Sequence, residues 1–286
     1  MIVTTSYETR PQTTKLTTLD RLATQLEIES AAREEALEEL IVAASRAVES
    51  HLGWEVSRAE VVDRFQGSGM ATTTLRRTPI VTLGTVQHNG ETVSQADQAI
   101  VVMDVQSGIV QRAQGWTWSD RPLWTAQYFG GWLTPDDDFQ SNTVTFDEDT
   151  TDTITLVGAV WPLVQAGDVV QVVGTASNDG NHVVSARTSD TVLTLEDGTI
   201  TDEGTGVQAE FRVSTLPADI ERAVIIVARD MLAAGGDAAS VTGGIKAINT
   251  PGLSVAYAEA SSTAGSTSIA ASPSAVSLLQ NWVRWR

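Results

Sequence analysis

Cysteine is absent from all 286 residues. That excludes a disulfide framework and any thiolate metal site, and nothing argues for an oxidising compartment. Basic side chains are scarce: 18 Lys and Arg stand against 36 Asp and Glu, a formal net charge of −18. Tight wrapping of nucleic acid needs several cations against the phosphates, so a DNA-binding role is excluded. Long apolar runs are missing too. The longest strongly apolar stretch, 223–228, is far too short to span a bilayer, and MIVTTSYETRPQTTK lacks the apolar core of a signal peptide. No membrane partner is expected.

Chemistry-bearing residues are thin. The three histidines, His51, His88 and His182, lie at a helix end and in two hairpin regions, with no metal-ligand spacing among them. Neither a nucleophile elbow, a P-loop nor a dinucleotide fingerprint occurs, and Gly67-Ser68-Gly69 is too short to cradle a phosphate. Asp136, Asp137 and Asp138 form one carboxylate group, and Asp147, Glu148, Asp149 and Asp152 another. Calcium takes such oxygens, yet neither group alternates with glycine as a dedicated calcium loop does, so solvated acidic loops are the better reading. Paired-carboxylate glycosidase chemistry has no singled-out acid and base. The expectation is a chain with no catalytic residue, no cofactor and no metal: not an enzyme, but a component of an assembly.

What is present is organised. At roughly 150 residues per domain, the chain allows one large domain or two small ones. Its 42% hydrophobic content is enough for a real core. Residues 134–214 carry 15 acidic side chains against Arg187 and Arg212, a net of −13, which leaves only −5 for the rest. An acidic surface serves solubility first; its sharper use would be to let DNA pass without sticking.

Two amphipathic helices flank that acidic stretch. The first covers 31–53. Ser30 is its expected N-cap, Glu34 and Glu35 suit the positive end of the dipole, and Gly53 is a left-handed C-cap. Leu37, Leu40, Ile41, Ala44, Val48 and Leu52 recur at helical spacing and predict one buried stripe. The second covers 216–236, with Pro217 in its first turn and Gly235-Gly236 at its end. Ile220, Ala223, Val224, Val227 and Met231 form its main face, and Ile225 and Ile226 carry apolar surface further round, as in a helix packed on most sides, with a neighbouring subunit a candidate partner. A shorter helix starts near Leu19, where Thr17 and Asp20 fit capping-box spacing; Leu19, Leu22, Ala23 and Leu26 form its face.

Between the helices the period falls toward two. Ala59, Val61 and Phe65 alternate with polar residues as in a half-buried strand. Asn89-Gly90 and Ser107-Gly108 mark hairpins. Four of the eight tryptophans, Trp116, Trp118, Trp124 and Trp132, cluster in 115–132; such density is core or interface material. Residues 134–142 read as a boundary. Beyond it, 143–213 holds six short strands with turns at 178–180, 196–198 and 203–204, the pattern of a small closed barrel or sandwich. Residues 245–258 alternate through Leu253, Val255 and Tyr257. Residues 260–274 are an uncharged Ser, Ala, Thr and Gly linker.

The chain closes on SAVSLLQNWVRWR, a helix too short to stand alone. From Ser261 onward its only charges are Arg284 and Arg286. Burying a large apolar side chain yields about 1.5–3 kcal/mol and an exposed ion pair about 0–1 kcal/mol. Leu278, Leu279, Trp282 and Trp285 would therefore supply docking affinity, and the two arginines orientation. Folding back on the chain's own core is the equally weighted alternative.

LDRLATQLEIESAAREEALEELIVAASRAVESHLGW, LRRTPIVTLGTVQHNGETV, SGIVQRAQGWTW with YFGGW, and LPADIERAVIIVARDML, in that order, resemble the head–tail connector (adaptor) proteins of tailed bacteriophages. The ending LLQNWVRWR is similar to that family's C-terminal helix. The likeness covers about 17–133 and 215–286 and rests on element order and apolar patterning. It implies a homo-oligomeric ring, usually of twelve subunits, in the virion at the head–tail interface after assembly in the host cytoplasm. The ring would dock on the portal protein through 277–286, extend the channel for double-stranded DNA in passage, and meet a distal neck, stopper or tail-completion protein. The 143–213 stretch departs from the compact family pattern and looks like a small β-barrel module.

The resulting expectation is an α+β chain. Residues 1–16 form an N-terminal arm; 17–133 with 215–259 form a discontinuous platform of helices and β-hairpins; 143–213 is an inserted all-β domain; 260–274 link to a docking helix at 275–286. The rival is a virion or secreted carbohydrate-binding β protein using the Trp-rich 116–132 segment as a sugar platform.

Overall fold

The computed structural model describes residues 3–9, 15–28, 34–67, 69–93, 100–112, 117–118, 123–148, 151–196, 198, 200–234, 247–250, 253–256 and 273–282. The fold mixes helix and strand, is mostly β, and contains a closed six-stranded barrel. The chain divides into a β unit (Met1–Gln12, Val56–Leu133 and Asp137–Thr215) and a helical unit (Thr13–Glu55, Thr134–Asp136 and Leu216–Arg286).

In the β unit, the first eight strands are β1 (Val3–Thr9), β2 (Ala59–Gln66), β3 (Thr72–Thr74), β4 (Ile80–His88), β5 (Glu91–Thr92), β6 (Val101–Asp104), β7 (Ile109–Gln111) and β8 (Leu123–Gly130). They make a five-stranded sheet, β1-β2-β8-β4-β5, and a three-stranded sheet, β3-β7-β6. The start of the chain is therefore a paired edge, β1 running antiparallel to β2 from Val3 opposite Phe65. Both sequence-marked hairpins form. Asn89 and Gly90 take φ of 53° and 86° between β4 and β5, and Gly108 takes 69° between β6 and β7, since a tight hairpin needs the left-handed region. Phe65, Leu75, Trp118, Trp124 and Tyr128 anchor the shared core.

The barrel strands are β9 (Phe139–Asp147), β10 (Thr153–Leu156), β11 (Val169–Val173), β12 (Gly180–Arg187), β13 (Val192–Leu195) and β14 (Glu203–Arg212). They close in the order β10-β13-β12-β11-β14-β9. Alternate residues point inward: Ile154 and Leu156, Val170 and Val172, Leu193 and Leu195 are buried. Phe139, Trp161 and Phe211 form an aromatic triad with centroids 4.8–5.5 Å apart. Two details differ from expectation. The first strand starts at Phe139, inside the segment read as a boundary. Glu203 and Gly204 lie within β14 instead of at a turn, because Gly206 at φ 88° and register shifts against β9 let a glycine-bearing strand continue by bulging.

The sheets at Val56–Leu133 thus group with the barrel, and the helices stand as a separate unit, a different division from one helical and hairpin platform over 17–133 and 215–259. The reason is backbone continuity. Trp132 N donates to Val56 O at 2.9 Å, Arg58 N to Trp132 O at 2.7 Å, and Thr215 N to Leu133 O at 3.0 Å, so the sheet runs into the two ends of the barrel segment. Gly131 sits in this seam at φ 95°, and a Cβ there would lie 2.7 Å from both Val56 O and Ser57 O.

The helical unit holds α1 (Leu19–Leu26), α2 (Glu34–Leu52), α3 (Ala218–Ala234) and α4 (Pro273–Leu279), with a hairpin of β15 (Ala247–Thr250) and β16 (Leu253–Ala256). The N-cap of α1 is Thr18, not Thr17: the Thr18 side chain accepts from Arg21 N, while Thr17 is buried and its hydroxyl donates to Glu221 at 3.0 Å. α2 packs on α3, and α3 on α4. The Ser30 cap, Gly235-Gly236, Tyr257, Trp116, Asp149 and the 260–270 linker lie outside the described residues.

Candidate functional site

Every member of the two-helix stripe is buried: Leu37, Leu40, Ile41 and Val48 on α2, and Ile220, Val224, Val227 and Met231 on α3. Together they form the chain's own core. Ile225 and Ile226, the apolar residues off the main face of α3, stay half-buried. Polar contacts complete the packing. Leu16 N donates to the buried Ser45 hydroxyl at 3.1 Å, and Arg21 grips Glu221 with contacts of 3.1 and 3.0 Å. Lys15 pairs with Glu38 at 2.7 Å, and that hydrogen bond raises the Lys15 pKa above its ordinary value.

The residues expected to anchor the C-terminus divide. Leu279 is buried and Ala275 with it, as α4 packs on α3; Leu279 therefore belongs to the chain's own core and leaves the docking set. Leu278 and Trp282 remain half-buried, and Trp54 Nε1 donates to Trp282 O at 3.4 Å. Arg284, Trp285 and Arg286 lie outside the described residues.

Of the clustered tryptophans, Trp118, Trp124 and Trp132 are all buried. Trp118 and Trp124 meet edge to face at 4.8 Å, His88 stacks on Trp124 at 4.3 Å, and the Arg112 guanidinium lies 4.8 Å from the Trp124 centroid. Burial lowers the pKa of that arginine. A sugar platform needs an exposed aromatic face, and these three rings are committed to the interior.

Two buried ionic contacts were not foreseen. Arg58 reaches from the start of the sheet into the barrel segment, and its side chain is 3% exposed against 9% for Asp168. The guanidinium contacts both Asp168 oxygens and donates to Gly131 O at 3.3 Å and Leu163 O at 3.2 Å; Gln165 N also donates to Asp168 at 2.7 Å. Asp63, fully buried, accepts from Thr5 Oγ1 at 2.5 Å, Arg76 N at 2.7 Å and Tyr128 OH at 2.9 Å. Burial pushes the Tyr128 hydroxyl pKa well up. Arg77 extends the network, donating to Tyr7 OH at 3.0 Å and through two nitrogens to Ser57 O. Asp63 did leave a signal: Val61, Asp63 and Phe65 share the inward phase of β2, so a charge there had to be buried.

The acidic loops turn onto their own backbone. Asp138 accepts from Val213 N and Ser214 N at 2.7 and 3.0 Å, Asp152 from Ile200 N at 3.2 Å, and Asp202 from Glu148 N at 2.6 Å. Hydrogen bonds from the Thr175 backbone and hydroxyl hold the Asp179 pKa below its ordinary value. His182 is buried with Nε2 on Asn178 O at 2.9 Å. Among the described residues no three of His, Asp or Glu converge as metal ligands, and no helix is long and apolar enough to cross a membrane.

The surface features that stand out are apolar. Val101, Met103 and Val105 around β6, with Met70 and Leu123, are exposed in the β unit, as are Val157, Val160 and Val169 on the barrel. No protein-family model, curated protein or solved structure matches the chain.

Proposed function

We propose that the chain is a structural protein of a phage virion neck: a helical platform with β-hairpins, carrying an inserted β-barrel, that assembles into a homo-oligomeric ring. The ring docks on the portal, extends the DNA channel and meets a distal stopper or tail-completion protein. One observation carries this reading. Two amphipathic helices separated by the acidic β run, α2 and α3, close a single core, and the C-terminal helix is seated on α3. That matches the element order of the connector resemblance. The half-buried Ile225 and Ile226 supply apolar surface for a neighbouring copy. Many weak C-terminal anchors held in one ring bind strongly through effective concentration, and the −18 charge suits a channel that DNA must slide through. The barrel, too large to sit in a channel, is placed on the ring's outside.

The test is to incubate the purified chain with a portal ring and image the complex. A layer of this chain beneath the portal is expected; its absence from that layer overturns the reading. Because Leu279 is part of the chain's own core, deleting 277–286 would also open the helical unit. Trp285→Ala combined with Arg284→Glu and Arg286→Glu is the cleaner probe, and it should abolish docking while leaving the melting transition unchanged.

A further inference from the structure

Among the described sheets, β15-β16 alone has only two strands. A two-stranded ribbon is marginal in water, and beyond its own pairing it touches α3, leaving both outer edges open for a further strand. Its sequence, AINTPGLSVA, carries no charge.

β6 has the complementary deficiency. Among the described residues it pairs on one side only, with β7. Its surroundings expose Val101 at 51%, Met103 at 59% and Val105 at 45%. Edge strands are normally guarded by charge, proline or strong twist. Here the only charged side chain is Asp104, and its carboxylate is occupied locally, accepting from Gln106 N at 2.9 Å, Ser107 N at 3.2 Å and Ser107 Oγ at 2.6 Å. The register shift falls between Val102 and Asp104, so the stretch up to Met103 remains regular. The other open edges differ: β1 presents Glu8, β5 is two residues long with Glu91, and β3 is three residues long.

We infer that the hairpin at Ala247–Ala256 of one copy adds to the β6 edge of the next, forming a mixed sheet across the ring interface. Each chain holds one donor and one acceptor, so the contact is heterologous and propagates until it closes. Main-chain hydrogen bonds supply the pairing, as in strand addition generally. Charge selects the place: copies carrying −18 each repel, and an uncharged hairpin against an apolar edge is where they approach at least electrostatic cost. The inference rests on the proposed ring.

The lack of cysteine makes the test clean. Met103→Cys and Ser254→Cys, with Asn249→Cys as the alternative for the other strand, are introduced in the full chain and treated with a short bismaleimide after assembly. Mixing two single variants should give one dimer band on a denaturing gel, and the double variant a ladder. Cross-linking confined to one chain, or none in an intact ring, overturns the inference while the ring reading stands. A chain that stays monomeric at all concentrations and beside the portal removes both. As an independent arm, Met103→Asp should abolish the ring without lowering the melting temperature, and a ring that persists counts against the inference.

Discussion

The barrel and the helical unit solve the same problem in opposite ways. The barrel closes its ladder completely, buries an aromatic triad of Phe139, Trp161 and Phe211, and folds its acidic loops onto their own amides. Closure removes every strand edge. The helical unit buries the stripe between α2 and α3 but leaves Ile225 and Ile226 half-covered, and its hairpin stops at two strands. A sequence that can finish its own packing so thoroughly in one region, and does not in another, indicates where partners are required. The barrel is self-sufficient; the helical unit and the β6 edge await completion.

The largest effect tests how the barrel is held. Arg58→Met leaves Asp168 buried without its cation and should cost about 3–5 kcal/mol, read by urea denaturation of the chain. Adding Asp168→Leu should recover most of that loss, because an apolar pair replaces a buried ionic one. Trp161→Ala, which empties the centre of the barrel core, should cost about 3–5 kcal/mol. Assembly below the lowered melting transition should persist, since the barrel edge is not the contact. Asp63→Ala strands the Thr5, Arg76 and Tyr128 donors and should cost about 1–3 kcal/mol, visible as early exchange of the β1 amides.

Ile226→Glu sharpens the other side of the comparison. A half-buried helix position away from the core stripe should shift monomer stability by within about 0.5 kcal/mol, yet sedimentation should show loss of oligomer. The smallest effect is electrostatic. The Asp179 carboxyl has a lowered pKa in the folded chain, so it contributes stability above the ordinary value of 3.8 that is lost as pH falls through the lowered one. Asp179→Ala should flatten the acid limb of the stability profile and change nothing near neutrality.

The elements that depend on local periodicity were legible in the sequence. Leu37 to Leu52 recur at helical spacing, and the six barrel strands alternate cleanly between turn residues, so the mixed fold and the small barrel could both be read. What failed was non-local or competitive. Thr17 and Thr18 are equally good caps by type, and the contact of Thr17 with Glu221, 204 residues away, decided between them. The grouping of the sheet with the barrel depends on hydrogen bonds from Val56 and Arg58 to Trp132, which no window reveals. Arg58 and Asp168 look like ordinary surface charges until the fold brings them together. Leu278 and Leu279 are adjacent leucines of one pattern; only the packing of α4 on α3 separates the buried one from the half-exposed one.

The division between a self-contained barrel and an incomplete remainder is tested most directly by hydrogen exchange on the full chain, dilute and then assembled. Protection should rise at Val101–Asp104, Ala247–Thr250, Leu253–Ala256 and Ala218–Ala234, and stay unchanged in Val169–Val173 and Gly180–Arg187. Gains confined to the barrel strands, with none at β6 or α3, would contradict the account.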